Sequence, residues 1–318
     1  MEGNQMDRRQ FLSFSLALPF ALKSGLVWAK TEYNPVQNVV EASFSKDPNA
    51  PEGTLWQIPR QQPSQMMGYV YRANTGETVV FDGGWDGEAP YLIDLIKREC
   101  NGKVDAWFLT HAHFDHCGAI GEIITRCPDS IEIKRVYRNF PELTWLLEHE
   151  KTQYAPRIFD ELSKYPGELL VPNVNEVFEF GSTKIQCLND YDLSLTMNAI
   201  NNSSICFRID VGGKSILILG DLGKEAGRRL LKTQEKSVLD CDFVQMAHHG
   251  QQGVEREFYE VVSPSVCLWP TPDWLWENNS GKGPNSGPWK TLETRAWVEE
   301  MKIPRHFISK DGLAKLTF

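Results

Sequence analysis

No two of the seven cysteines stand in a C-x-x-C pair, and their number is odd: Cys100, Cys117, Cys127, Cys187, Cys206, Cys241 and Cys267 are scattered along the chain. That pattern excludes a Cys-based zinc or thioredoxin-type motif and argues against a disulfide framework. Cys187, Cys206 and Cys267 lie in strand-like runs and read as small buried hydrophobes, while Cys117, directly after His116, could approach a metal there but reads first as packing at a helix start. No apolar run reaches the ~20 residues that a membrane-spanning helix needs, so no transmembrane segment is expected in the mature chain. No run of Lys and Arg is present either. With 33 basic against 42 acidic residues the formal charge is −9, which excludes a bulk nucleic-acid-binding surface. No linker rich in Pro, Ser or Gly divides the middle of the 318 residues, and 41% hydrophobic residues suffice for one large core.

Histidine is scarce, yet five of the seven fall in two short stretches, leaving only His149 and His306 elsewhere. The first stretch, Thr110-His111-Ala112-His113-Phe114-Asp115-His116, follows an apolar strand-like run, Val104 to Leu109. It precedes a small-residue helix start, Cys117-Gly118-Ala119-Ile120-Gly121. Imidazole and carboxylate are the ligand types of a hydrolytic zinc, and the H-x-H-x-D-H spacing can divide them between two metals. His111 and His113, two apart on an extended segment, share one side and can grip one ion; Asp115 and His116 turn toward the second. The other stretch, Asp242 to Gly250, is a short strand ending in His248-His249-Gly250. Between them, the apolar strand Lys214 to Leu219 delivers Asp221 after Gly220. Asp221 can cap the helix expected from about Gly223 to Lys232, but beside the metal motif it reads as a bridging ligand.

Along the rest of the chain, Leu55 to Ile58, Gly68 to Arg72 and Glu77 to Phe81 read as strands, the last two joined at Asn74-Thr75-Gly76. Pro90 to Cys100 carries a helical face, and Ile131 to Tyr137 is a strand. Residues 139–165 are a helix-leaning insertion. Strands resume at 176–180 and 184–188, and Asn201-Asn202-Ser203-Ser204 caps a strand that runs to Ile209. This order suggests an α+β sheet sandwich with helices outside. Trp269 belongs to a strand, whereas Trp274 and Trp276 fall in a long loop, where they either line the mouth of a site or pin the loop.

The first 29 residues stand apart. Asp7-Arg8-Arg9-Gln10-Phe11-Leu12, a moderately apolar stretch to Leu22, and Val27-Trp28-Ala29 before Lys30 resemble a twin-arginine (Tat) signal peptide with its cleavage site. The expectation is export through the Tat translocase to the periplasm or beyond, with residues 30–318 as one domain.

Taken in order, Phe81-Asp82-Gly83-Gly84, the H-x-H-x-D-H motif, Gly220-Asp221 and Ala247-His248-His249-Gly250 resemble the metallo-β-lactamase superfamily over about Leu55 to Ser309. Asn201 to Ser204, the Gly-Asp pair and the His-His-Gly are similar to the branch containing the hydrolase domain of ComEC-like competence proteins. The resemblance implies an αββα four-layer sandwich holding two divalent ions, Zn2+ ahead of Mn2+. On that reading His111, His113 and Asp221 hold the first ion, and Asp115, His116, His248 and the shared Asp221 hold the second. Asp115 orients a metal-bridging hydroxide, and His249 donates a proton or hydrogen bond. The family usually supplies a third histidine to the first ion; between His116 and His248 only His149 is present, so Asp190 or Asp192 is the candidate substitute. Asn202 and Ser204 either touch substrate or cap their own strand. The expected activity is hydrolysis of a small-molecule or ester-type substrate, phosphodiesters first. The alternatives are a lactone, lactam or thioester hydrolase, an iron oxidoreductase of the same fold, and a non-catalytic metal-binding protein.

Overall fold

The computed structural model describes residues 38–47 and 49–318; the twin-arginine stretch and its expected cleavage site lie outside the described residues. Two sheets carry the chain. The first runs, in spatial order, Val39–Ser43, Leu313–Thr317, Gly53–Gln57, Gly68–Ala73, Thr78–Asp82, Ala106–Leu109, Val136–Arg138 and Leu169–Leu170. The second runs Val177–Phe180, Thr183–Cys187, Phe207–Val211, Lys214–Ile218, Phe243–Gln245, Val266–Trp269 and Arg305–Ile308.

Alternation along each central strand sets the layers, because successive side chains point to opposite faces. Val79, Phe81, Ala106 and Phe108 pack against Phe207, Ile216, Ile218, Phe243 and Leu268 between the two sheets. Val80, Trp107 and Leu109 face the other way, against Leu92, Leu95 and Ile120 on the helices Ala89–Cys100 and Phe114–Arg126. Leu217, Val244 and Cys267 pack outward on Leu230, Phe258 and Val298 of the second helical layer. The central strands are buried on both faces, which is why they read as continuous apolar runs. The result is helix, sheet, sheet, helix: the expected α+β four-layer sandwich.

Thr78–Asp82, Ala106–Leu109 and Val136–Arg138 pair in parallel, as do Lys214–Ile218, Phe243–Gln245, Val266–Trp269 and Arg305–Ile308. Parallel strands need helical crossovers, so the carboxyl ends of neighbouring strands fall on one edge, where ligand-binding loops collect. Asp82 closes one such strand, and Thr110-His111, Gly220-Asp221 and His248-His249 follow the ends of others.

Three local readings differ from expectation. The strand expected at Ile131 to Tyr137 is broken in two, because Glu132–Ile133 leaves the main sheet to pair with Lys103–Val104. Asn201 and Asn202 of the expected polar cap belong to a helical turn, Ala199–Asn202. Trp274 and Trp276 lie on the short helix Asp273–Trp276, not in an extended loop. Within 139–165 the chain forms the helices Leu143–His149 and Ala155–Ser163, the second packed on Phe114–Arg126. Among the described residues no helix is long and apolar enough to cross a membrane.

Candidate metal centre

Asp82 ends its strand at φ 52°, a left-handed conformation that turns its carboxylate under the histidine motif. There it accepts from Thr110 N (2.8 Å) and Thr110 Oγ1 (2.7 Å), and pairs with His116 Nδ1 at 2.7 Å. Thr110 Oγ1 also meets His111 Nδ1 at 2.9 Å. One buried carboxylate thus fixes two rings of the motif, directly and through Thr110. The helix carrying Asp115 and His116 docks onto the loop after Asp82 only because residue 118 is glycine: a Cβ there would lie 2.6 Å from Asp86 N. On the other sheet, Gln245, fully buried in an apolar strand, accepts from Leu219 N (2.7 Å) and donates to Gly220 O (3.0 Å), holding the turn that presents Asp221.

Asp221 Oδ2 is the hub. His116 Nε2 lies 3.2 Å from it, His249 Nε2 3.4 Å, His111 Nε2 3.8 Å and His248 Nε2 3.9 Å. His249 Nε2 is also 3.3 Å from Asp115 Oδ2, and His111 Nε2 is 3.1 Å from His113 Nδ1. Two donor sets follow, each with its atoms within 4.8 Å of one another: Asp115, His116, Asp221 and His249, and His111, His113 and Asp221. His249, read from sequence as a proton donor, therefore stands where His248 was expected. Its ring is fully buried, and its Nδ1 faces Pro270 O at 3.1 Å, which leaves Nε2 for the set. The backbone explains the exchange: His248 and His249 are both left-handed, at φ 52° and 54°, so an alternation rule for extended chain does not apply to them.

The electrostatics suit a cation. Burial alone would raise the Asp221 carboxyl, but the charges of His116, His249 and His248 hold it well below the usual range. Burial likewise works on Asp115, and the His249 ring 3.3 Å away, with the charges of His116 and His249, outweighs it. Burial and the neighbouring His116 push His111 down, keeping it neutral. Ionised carboxylates and a neutral imidazole are coordinating forms, whereas His116 and His249, which the neighbouring carboxylates raise above the ordinary imidazole range, release a proton when an ion binds. Asp221 Oδ1 and Oδ2, His116 Nε2 and His249 Nε2 are all buried, and none has a hydrogen-bond partner. Such atoms are costly unless something satisfies them, and His116 Nε2 and His249 Nε2 gathered at Asp221 Oδ2, with Asp115 in the same set, fit a divalent ion of the N/O-ligand class.

A residue that sequence reading missed completes the surroundings. Glu150, directly after His149, sets Oε1 3.2 Å from His113 Nε2 and accepts from Ile200 N at 3.0 Å with Oε2. His149 itself packs on Trp145 and does not serve the site. Carboxylates behind a ligating imidazole typically tune metal affinity 10–100-fold. Glu150→Ala is accordingly expected to weaken binding of the ion held by His111 and His113 by about 10-fold or more in a metal titration, while the other ion is unaffected.

Other candidates fall elsewhere. Asp190 accepts from Asn139 Nδ2 at 2.8 Å, and Asp192 faces Arg229 at 3.4 Å and Ser194; neither belongs to a donor set. Asn202 is buried and holds Met197 O and Ala226 N, tying its turn to the helix Lys224–Thr233. Ser204 Oγ accepts from Asp221 N at 3.2 Å, orienting the hub. Trp276 packs edge-on against Trp269 at 5.2 Å under Arg295, and Trp274 against Trp289 at 4.9 Å, so the tryptophans pin their own segment. The rim beside Asp115 is instead glutamine: Gln65 Nε2 donates to Asp115 Oδ2 (3.0 Å), and Gln251 Nε2 donates to Gln65 Oε1 (3.1 Å).

The loop bearing Gln65 is anchored by buried Glu88, which accepts from Gln61 N (2.7 Å) and Gln62 N (3.0 Å). Burial pushes the Glu88 carboxyl up from 4.5 to about 7. A folded pKa above the unfolded one stabilises at low pH and is lost as pH rises through it. Stability should therefore fall by up to about 3 kcal/mol between pH ~4.5 and ~7 on this account, and Glu88→Gln should flatten that component in urea unfolding followed against pH.

A family model described as Metallo-beta-lactamase superfamily matches residues 65–262. The chain is 21% identical over 218 residues to cleavage and polyadenylation specificity factor subunit 3-I of Arabidopsis thaliana, covering 62% of this chain and 29% of that protein. It is 24% identical over 193 residues to an RNase J-like protein of Methanocaldococcus jannaschii, covering 57% and 40%. The chain thus spans less than half the length of these curated relatives. In the crystal structure of YhfI, a metallo-beta-lactamase fold protein from Bacillus subtilis, the same fold is seen at TM-score 0.50 and 11% identity, over 83% of this chain and 99% of that one. Motif order, four-layer architecture and the matched family model lead to one conclusion: this chain belongs to the metallo-β-lactamase superfamily.

Proposed function

We propose that this chain is an exported hydrolase that uses two divalent ions to cleave phosphodiester-type substrates. The observation that carries it is the pair of donor sets sharing Asp221, with its buried, unpartnered oxygens. Asp115, His116, Asp221 and His249 would hold one ion, and His111, His113 and Asp221 the other. Two such ions, +4 against the −2 of Asp115 and Asp221, would acidify a water, polarise the scissile group and leave net positive charge for an anionic substrate.

The remaining work belongs to side chains. Asp115 is 8% exposed where Asp221 is 1%, so Asp115 is the carboxylate that solvent and substrate can reach. It would orient the attacking water, with Gln65 donating to its Oδ2. Asp82 and Glu150 fix the rings of His116 and His113 from behind. His249, committed through both nitrogens, is not a free proton donor.

The preference for phosphodiesters draws support from the similarity to an RNase J-like protein and from the ComEC-like motifs. Export rests on Arg8-Arg9 and the apolar stretch that follows. A panel of chromogenic phosphodiesters, lactones and thioesters, run on metal-loaded protein, tests the reading. Turnover of the phosphodiesters that Asp115→Ala abolishes is the expected result; turnover of lactones or thioesters alone overturns the substrate class. N-terminal sequencing of protein recovered from the periplasm should begin at Lys30.

A further inference from the structure

We propose that His248 is a ligand of the first ion, so that the adjacent pair His248-His249 serves both ions, one ring each. This rests on the two-ion reading above.

The donor sets are unequal. The second has four side chains, whereas the first has only His111, His113 and Asp221, and among the described residues no further His, Cys, Asp or Glu joins it within the same spacing. His248 Nε2 is nevertheless 3.9 Å from Asp221 Oδ2, nearly the distance of His111 Nε2 at 3.8 Å from the same oxygen. Donors held ~2.0–2.2 Å from one ion at near-tetrahedral angles lie about 3.3–3.6 Å apart, and His248, which stands outside the set at its present spacing, would swing inward to join His111 and His113.

The backbone supplies independent support. On extended chain, neighbouring side chains point to opposite faces, and the strand Phe243–Gln245 would aim only one of two adjacent histidines at Asp221. Here His248, His249 and Gly250 are all left-handed, at φ 52°, 54° and 76°. For non-glycine residues this conformation is costly, and the turn is held against that cost. His248 N donates to Gly220 O at 3.1 Å, and Thr271 Oγ1 donates to His249 O at 2.7 Å. Gly250 lies so close to Trp269 that a Cβ would stand 2.5 Å from its ring. The strain has one evident yield: both Nε2 atoms reach the same carboxylate oxygen.

The ring also differs from the other four. His111, His113, His116 and His249 each have the nitrogen remote from the hub beside Thr110, Glu150, Asp82 or Pro270 O. His248 Nδ1 is buried with no partner, and the contact from Asn201 Nδ2 to Nε2 is long at 3.5 Å. A ligand with nothing behind it is less basic and less fixed, so the first ion binds more weakly than the second.

The test is a Zn2+ titration of metal-free full chain, wild type against His248→Ala, His248→Gly and His249→Ala, followed by calorimetry and by elemental analysis of the loaded protein. His248→Gly relieves the left-handed strain and keeps the turn foldable. Wild type should take up two ions, the second set filling first. Both His248 variants should keep the tighter ion at wild-type affinity and bind the weaker one at least 10-fold less tightly, whereas His249→Ala should lose the tighter one. Two ions at wild-type affinity in folded His248→Gly overturns the proposal while the two-ion reading stands. Fewer than two ions in wild type overturns the two-ion reading itself, and with it the proposal.

Discussion

Asp221→Asn is expected to remove both ions at once and to lower the hydrolytic rate by roughly 10^3-fold or more, the loss of several kcal/mol of transition-state stabilisation. Four imidazole Nε2 atoms lie 3.2–3.9 Å from its Oδ2, and both donor sets include it. An amide in that place keeps the volume and removes the charge that balances the cations. The metal-free chain should still fold, at reduced stability because His116 and His249 lose the charge 3.2 and 3.4 Å away, since the turn itself is held by other groups: Asp221 N donates to Ser204 Oγ and Leu219 N donates to Gln245 Oε1. Elemental analysis with circular dichroism checks both halves: near-zero metal in a folded chain.

Asp82→Ala should act the other way, on the fold first. Its carboxylate accepts from Thr110 N and Oγ1 and faces His116 Nδ1, all fully buried. Removing it leaves two donors unsatisfied and a buried imidazole, which its two carboxylate neighbours hold well above its ordinary pKa, without one of them. Breaking one side of a buried pair typically costs about 3–5 kcal/mol. Metal affinity should also fall 10–100-fold at the site that includes His116. Asp82→Asn should recover part of the stability, since Asn tolerates φ 52° and can still accept from Thr110 N. Urea unfolding of the three proteins at one pH, with a metal titration of each, separates the two effects.

What was legible in the sequence was what is local. The H-x-H-x-D-H cluster and Gly220-Asp221 announce themselves by residue type and by the apolar strands before them, and those strands are apolar throughout because both faces are buried. The order of strands and helices was enough for the sandwich. What escaped depends on long-range placement or on the sign of one dihedral. Glu150 reaches His113 from 37 residues away along the chain, through a helix whose path no periodicity encodes. His249 takes the place expected of His248 because both φ angles are positive, which histidine seldom shows. Gln245 carried a readable signal, a polar side chain inside an apolar strand. Asp190 and Asp192 were plausible by composition, but their loop turns them toward Asn139 and Arg229.

The most direct test of the central claim is the metal content, by elemental analysis, of the chain from Lys30 purified without chelator. Two zinc or manganese ions per folded chain are predicted, falling to none in Asp221→Asn. A folded wild-type chain that holds no ion even after incubation with excess Zn2+ or Mn2+ would contradict the account, and two tightly held iron ions would redirect it from hydrolysis to redox chemistry.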